Sequence, residues 1–393
     1  MRKVLAVAAV LYAVSFLLVA IPQTQGNPQH GREIYRYDTF GDEQLWTTFL
    51  RMNEVVGTLS PMAALEVGLK VDSDALPPAV VRALKRGEVN LEDPAVTLRL
   101  FELNAVVGLM ARVNGGTVET VGITCALCHS TVDDSLAPGV GRRLDGWPNR
   151  DLNVGGIIAL SPALNDTQRG IFNGWGRGKF DPRLQAFDGK RFITLEPDTF
   201  PVVIPPAYAL RNVGFETFTG DGPISYWNNY VGVTQMGGHG TFVDPRIPLS
   251  VIQEPDLVTP KLPALFAYQR QLQAPAPPKG SFDMFAARRG ERVFNTVAGC
   301  AECHMPPTYT DVLRGSPLVH DALEVGAETE YASRSVTGAY RTSPLRGIWQ
   351  HPPYFHDGSA PDFSAVIARY ETARGISLTP RQRADLIEFL KSL

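Results

Sequence analysis

The sequence predicts a mainly α-helical chain with long loops, organised around two separate ligand-holding units. Three observations predict this. Apolar residues recur at helical spacing near both ends of the chain, glycine (36) and proline (31) are abundant, and Cys-x-x-Cys-His occurs twice. Frequent glycine and proline imply many turns and long ordered connections around something bulky. Hydrophobic residues make up 44% and charged residues 20% of the 393, so the body is globular rather than disordered. That length allows two domains, each with its own core. The formal charge of −3, with no long run of either sign, argues against nucleic acid as a partner.

The cysteines carry the chemistry. All four lie in Cys125-Ala-Leu-Cys128-His129 and Cys300-Ala-Glu-Cys303-His304, and none is left over for a disulfide. Paired zinc-binding motifs stand closer together, and a thioredoxin-like pair needs no histidine directly after the second cysteine. Cys-x-x-Cys-His is the attachment motif of haem c: Cys125, Cys128, Cys300 and Cys303 form thioethers to two haems, and His129 and His304 ligate the irons. The expected fold is therefore mainly α, with two cytochrome c-like haem domains, long loops and a helical N-terminal extension.

Residues 1–26 read as a signal peptide or an N-terminal anchor. Arg2 and Lys3 precede the low-charge stretch Val4–Ile21 and then polar Gln23-Thr24-Gln25-Gly26, the order of a secretory signal. The stretch also sits at the lower limit for a membrane span. Either way the body is expected outside the cytoplasm, in the periplasm, and no cysteine precedes Cys125 to carry a lipid.

Residues 27–115 are expected to form the helical extension. Leu45, Trp46, Phe49, Leu50 and Val56 have helical spacing, a second helix begins after Leu76-Pro77-Pro78, and a third runs from Pro94 to Val113. Residues 116–273 form the first haem domain. In it Arg142, Arg143 and Arg150 suit haem propionates or solvent equally. The proline-rich stretch at 274–280 is a linker, and 281–393 form the C-terminal haem domain. There a helix over about 282–294 leads into Cys300. The last helix starts at a capping box, Thr379-Pro380-Arg381-Gln382.

The axial partner opposite each histidine decides whether an iron only transfers electrons or also binds substrate. For the first haem the candidates are Met236 and His239, set among glycines in Met236-Gly-Gly-His239-Gly. For the second, no methionine follows Met305, which leaves His320, His351, Tyr354, His356 and Tyr370.

Three segments resemble the bacterial dihaem cytochrome c peroxidase superfamily, which includes the MauG-type enzymes. They are the two haem motifs in that order, Ile204–Asn212 with Phe218-Thr-Gly-Asp221-Gly222, and Thr342-Ser-Pro-Leu-Arg-Gly347 with Pro353-Tyr-Phe-His-Asp-Gly358. The resemblance runs from about Thr124 to the end. It implies one haem that stores an electron and one that meets peroxide, with a calcium ion often held between the domains, for which no ligands are assigned here. It places Gln235 where the family has its catalytic glutamate, Gly220 where it has a tryptophan, and Tyr370 where MauG-type enzymes have a tyrosine ligand. An amide cannot take up and return a proton as a carboxylate does. The expected function is electron transfer with a small periplasmic cytochrome or cupredoxin. Reduction of hydrogen peroxide and MauG-like oxidation of a bulkier substrate are the alternatives.

Overall fold

The computed structural model describes residues 26–247, 249–313 and 318–393. The segment read as a signal or anchor lies outside them. No helix among the described residues is long and apolar enough to cross a membrane. About 38% of the chain is helical, and the strands form only two-stranded sheets. The framework is therefore helices and loops, as a mainly α fold requires.

The first helix, α1 (Pro28–Tyr37), starts where the Asn27 side chain accepts the Gln29 backbone N–H at 2.9 Å, with proline at its first position. It buries Ile34 and Tyr35. Gly31 lets it cross close to residues 262–269, because a Cβ there would lie 1.9 Å from the Ala264 carbonyl oxygen. The next helical stretch is broken into turns at Gln44–Phe49 and Asn53–Val56, with Arg51 at positive φ between them. Helices α2 (Pro78–Lys85) and α3 (Pro94–Glu102) follow.

Here the structure corrects the sequence. The helix expected from Pro94 to Val113 ends at Glu102, and Leu109–Asn114 is a strand, β1, paired antiparallel with β2 (Thr117–Ile123). Asn114-Gly115-Gly116 makes the hairpin turn, so the extension is not wholly helical. The buried Asp42 carboxylate accepts the Ile123 N–H at 3.1 Å and so fixes the end of β2, directly before the first motif.

Residues from Ile34 to Tyr268 contribute to one hydrophobic core, so the segments on both sides of 115 pack as one body. A second core is built from Phe294, Tyr309, Phe363, Ile367, Leu386 and Phe389. Its frame is α4 (Met284–Asn295), α5 (Phe363–Arg374) and α6 (Pro380–Lys391). The capping box at Thr379 and Gln382 is present as expected. The two bodies meet through Tyr208 Oη donating to Gly347 O (2.9 Å), Arg150 donating to His351 O (3.1 Å) and Trp147 packed edge-on to Trp349. The proline-rich linker is held as well, since Trp349 Nε1 donates to Pro275 O at 3.1 Å.

Candidate haem sites

Cys300 opens a short 3₁₀ turn, Cys300–Glu302, entered through Gly299 in the left-handed region. This turn places Cys300, Cys303 and His304 on the wall of a cavity of about 240 Å³. The ring Nδ1 of His304 lies 3.0 Å from the Tyr309 carbonyl oxygen. Donation there fixes the tautomer and leaves Nε2 as the ligating nitrogen. Burial lowers the His304 pKa, which keeps the ring neutral as an iron ligand must be.

The first motif repeats this design. His129 Nδ1 lies 3.0 Å from Pro205 O, and burial brings its pKa down to about 4. The motif is clamped at its backbone: Gly146 N–H donates to His129 O and Asn149 N–H to Cys128 O, each at 2.8 Å, and the Tyr35 hydroxyl also donates to His129 O. Burial pushes the Cys125 and Cys128 thiols up to about 12.

The cavity beside Cys300 and Cys303 fits a haem. Its walls include Phe294, Val366, Ile367, Leu386 and Leu390, suited to a flat apolar macrocycle, while Arg150 and Arg341 bring charge to it. Nε and Nη1 of both arginines are buried without a partner. Burial lowers each guanidinium to about 10. The acid near Arg341, Glu216, is itself raised by burial to about 7 and so is only partly ionised at neutral pH. Buried cations short of an anion are what haem propionates would satisfy. Of the three arginines picked from sequence, only Arg150 lies here: Arg142 is exposed beside Asp133, and Arg143 pairs with Asp72.

Arg341 was not legible beforehand, because a lone arginine has no pattern. Its place directly before Thr342-Ser-Pro-Leu-Arg is the one available signal. Replacing Arg341 with methionine is expected to lower the midpoint potential of one haem by tens of millivolts, because a buried cation favours the reduced iron. A spectroelectrochemical titration reads this, and two unchanged potentials would remove Arg341 from the site.

Tyr370, on α5, lines the same cavity as Cys300, Cys303 and His304. His320 is engaged at both ring nitrogens, by Asp311 at 2.8 Å and Glu324 at 3.2 Å. Nε2 of His356 is held by Glu328. His351 lines the cavity, and burial with Arg150 nearby drives it down to about 3.

Of the residues proposed above the first iron, the Gln235 amide donates to Gln185 O at 2.9 Å. The buried Met236 is held through its backbone carbonyl, which accepts Trp46 Nε1 at 3.0 Å, and His239 turns Nδ1 to Pro255 O at 2.9 Å, the arrangement also seen at His129 and His304. Cys303, Asp311 and His320 form a cluster at metal-ligand spacing, but sulfur and imidazole do not suit calcium.

Comparison with known proteins adds a family. A family model described as RoxA-like, cytochrome c-like matches residues 339–374, the segment holding Tyr340, Arg341, His351, His356 and Tyr370. The methylamine utilization protein MauG of Methylorubrum extorquens is 32% identical over 158 residues, which is 33% of this chain and 42% of that protein. MauG of Methylophilus methylotrophus is 30% identical over 122 residues, 28% of this chain and 36% of that protein. These partial matches make the chain similar to the MauG-type dihaem cytochrome c peroxidase superfamily. Each match spans less than half the length of these MauG relatives. Among solved structures, a MauG-like protein associated with microbial copper homeostasis overlaps with a TM-score of 0.36 and 19% identity, covering 54% of this chain and 84% of that one. Kuenenia stuttgartiensis hydrazine synthase overlaps with a TM-score of 0.31 and 22% identity, covering 53% of this chain and 76% of that one.

Proposed function

We propose that this chain is an exported, periplasmic dihaem c-type cytochrome, a haem-binding oxidoreductase that relays electrons with a small cytochrome or cupredoxin. One observation carries the reading: each motif histidine turns Nδ1 to a backbone carbonyl at 3.0 Å and so keeps Nε2 for an iron. Each haem, when bound, supplies an iron that exchanges one electron. The chain's own groups do the rest. The cysteines fix the ring, the carbonyls hold the imidazole tautomer, the apolar walls exclude water, and Arg150 and Arg341 offset negative charge. Ferric and ferrous spectra of the matured protein test this. Two low-spin haems untouched by peroxide support the relay. A high-spin component that reacts with peroxide would count against it.

One observation favours a MauG-like oxidase instead, acting on a bulkier substrate. Tyr370 lines the same cavity as Cys300, Cys303 and His304, where a phenolate oxygen could ligate iron. Burial raises its pKa, so the phenolate would depend on the iron's charge. Tyr370→Phe is expected to change the spectrum of one haem and leave the other intact, and an unchanged spectrum would remove it as a ligand. Hydrogen peroxide as sole substrate is less favoured, since the Gln235 amide cannot take up and return a proton as a carboxylate does.

A further inference from the structure

A group of side chains on the cavity wall is used by none of the roles above. His356 is buried and stacks with two tyrosines, with ring centroids 4.5 Å from Tyr340 at 23° and 5.5 Å from Tyr331 at 22°. Its Nε2 contacts the Glu328 carboxylate and also lies 3.0 Å from the Tyr340 hydroxyl oxygen. The Tyr340 hydroxyl donates to the same Glu328 oxygen at 3.0 Å, and that carboxylate also accepts the Tyr331 backbone N–H at 3.0 Å. Tyr340 is fixed at its backbone by a two-way bridge to His320, 2.6 and 2.9 Å long. Both Tyr340 and His356 line the cavity that holds Cys300, Cys303 and His304.

We propose that Tyr340 is a redox-active tyrosine with Glu328 as its built-in proton acceptor, so that an oxidising equivalent arising at the cavity comes to rest on Tyr340. The inference rests on the reading that this cavity holds the second haem. The oxidant is a one-electron-oxidised haem centre. Tyr340 gives it one electron, the phenolic O–H bond breaks, and the proton forms a new O–H bond on the Glu328 carboxylate. The products are a neutral tyrosyl radical, a carboxylic acid and a haem centre reduced by one electron. Return of an electron to Tyr340 and of the proton from Glu328 restores the starting state.

Three features select this tyrosine. Burial and the Glu328 charge raise the Tyr340 pKa, so the proton stays on oxygen until oxidation. Burial pushes the Glu328 carboxyl up, but hydrogen bonds led by His356 outweigh that and hold it below the usual carboxylate range, so it stands ionised beside the Tyr340 hydroxyl. Tyr331, the other tyrosine of the stack, meets the Arg183 guanidinium at 5.9 Å, a cation that cannot take a proton. Tyr226 and Tyr268 also donate to carboxylates, Asp244 at 2.6 Å and Asp145 at 2.5 Å, but neither lines this cavity. The stack leads outward too: Tyr331 meets Arg183, which belongs to the first body, so a hole on Tyr340 sits beside the boundary between the two.

The test uses the haem-loaded, fully ferric protein, with haem counted first by the pyridine haemochrome assay. Photogenerated ruthenium(III) tris-bipyridine, with persulfate as electron acceptor, supplies the hole, and the trapped radical is read by electron paramagnetic resonance. The main tyrosyl signal is expected to vanish in Tyr340→Phe, to fall several-fold in Glu328→Gln and to survive in Tyr331→Phe. Unchanged haem spectra in the variants report intact folding. Two haems per chain with a signal that persists in Tyr340→Phe would overturn the proposal and leave the haem reading standing. Fewer than two haems would overturn the haem reading itself, and this inference with it.

Discussion

Gly290→Ala is expected to destabilise the C-terminal body by about 3 kcal/mol, seen as a fall of roughly 10 °C in its thermal midpoint. Gly290 lies in α4 where that helix crosses α6. A Cβ there would stand 1.9 Å from the Asp385 carbonyl oxygen and 2.9 Å from the Phe389 Cβ. Backbone cannot yield as a flexible side chain does, so the two helices must separate. Separation loosens Phe294 against Phe389, rings 5.1 Å apart, and strains the Arg289–Asp385 ion pair at 2.6 Å. The same helix leads into Cys300, so the loss propagates to the haem wall. Thermal melts followed by circular dichroism measure the effect. A midpoint within a degree of the parent would mean that the crossing is not this close.

The second large effect concerns covalent attachment. Changing Cys300 and Cys303 together to serine is expected to remove the second haem and leave the first, so haem per chain falls by half. Serine keeps the size and polarity of the turn but cannot form a thioether. Without the group that fills it, the cavity of about 240 Å³ leaves Phe294, Ile367 and Leu386 short of contacts. Loss of a tightly held ligand also removes its stabilisation of the folded state, on the order of 4 kcal/mol for a ligand at a thousand times its dissociation constant. The pyridine haemochrome assay decides. Two haems retained in the variant would break the link between motif and cofactor.

Much of the candidate site was legible because haem attachment is a local motif. Cys-x-x-Cys-His states its own chemistry within five residues, and the capping box at Thr379 and Gln382 states the start of α6 just as locally. What stayed hidden depends on distance. The carbonyl partner of His129 is Pro205, far along the chain, and nothing in sequence marks it. Arg341, Glu328 and Tyr340 are ordinary residues made notable only by burial and by one another. Residues 107–114 were misread for a different reason. Val107 and Met110 fit a helical face, yet Leu109–Asn114 ends at Gly115-Gly116, a hairpin signal that outranks the apolar spacing. The arginines of 142–150 show the same limit, because composition cannot tell an ion pair with Asp72 from a cavity-facing guanidinium.

The central claim is that this chain holds two haems, one on each motif. Intact-mass spectrometry of the protein matured with a haem-attachment system tests it most directly, followed by peptide mapping of both motifs. The expected result is the polypeptide plus two haem masses, one on the Cys125–Cys128 peptide and one on the Cys300–Cys303 peptide. A single haem mass, or haem on neither peptide, would contradict it.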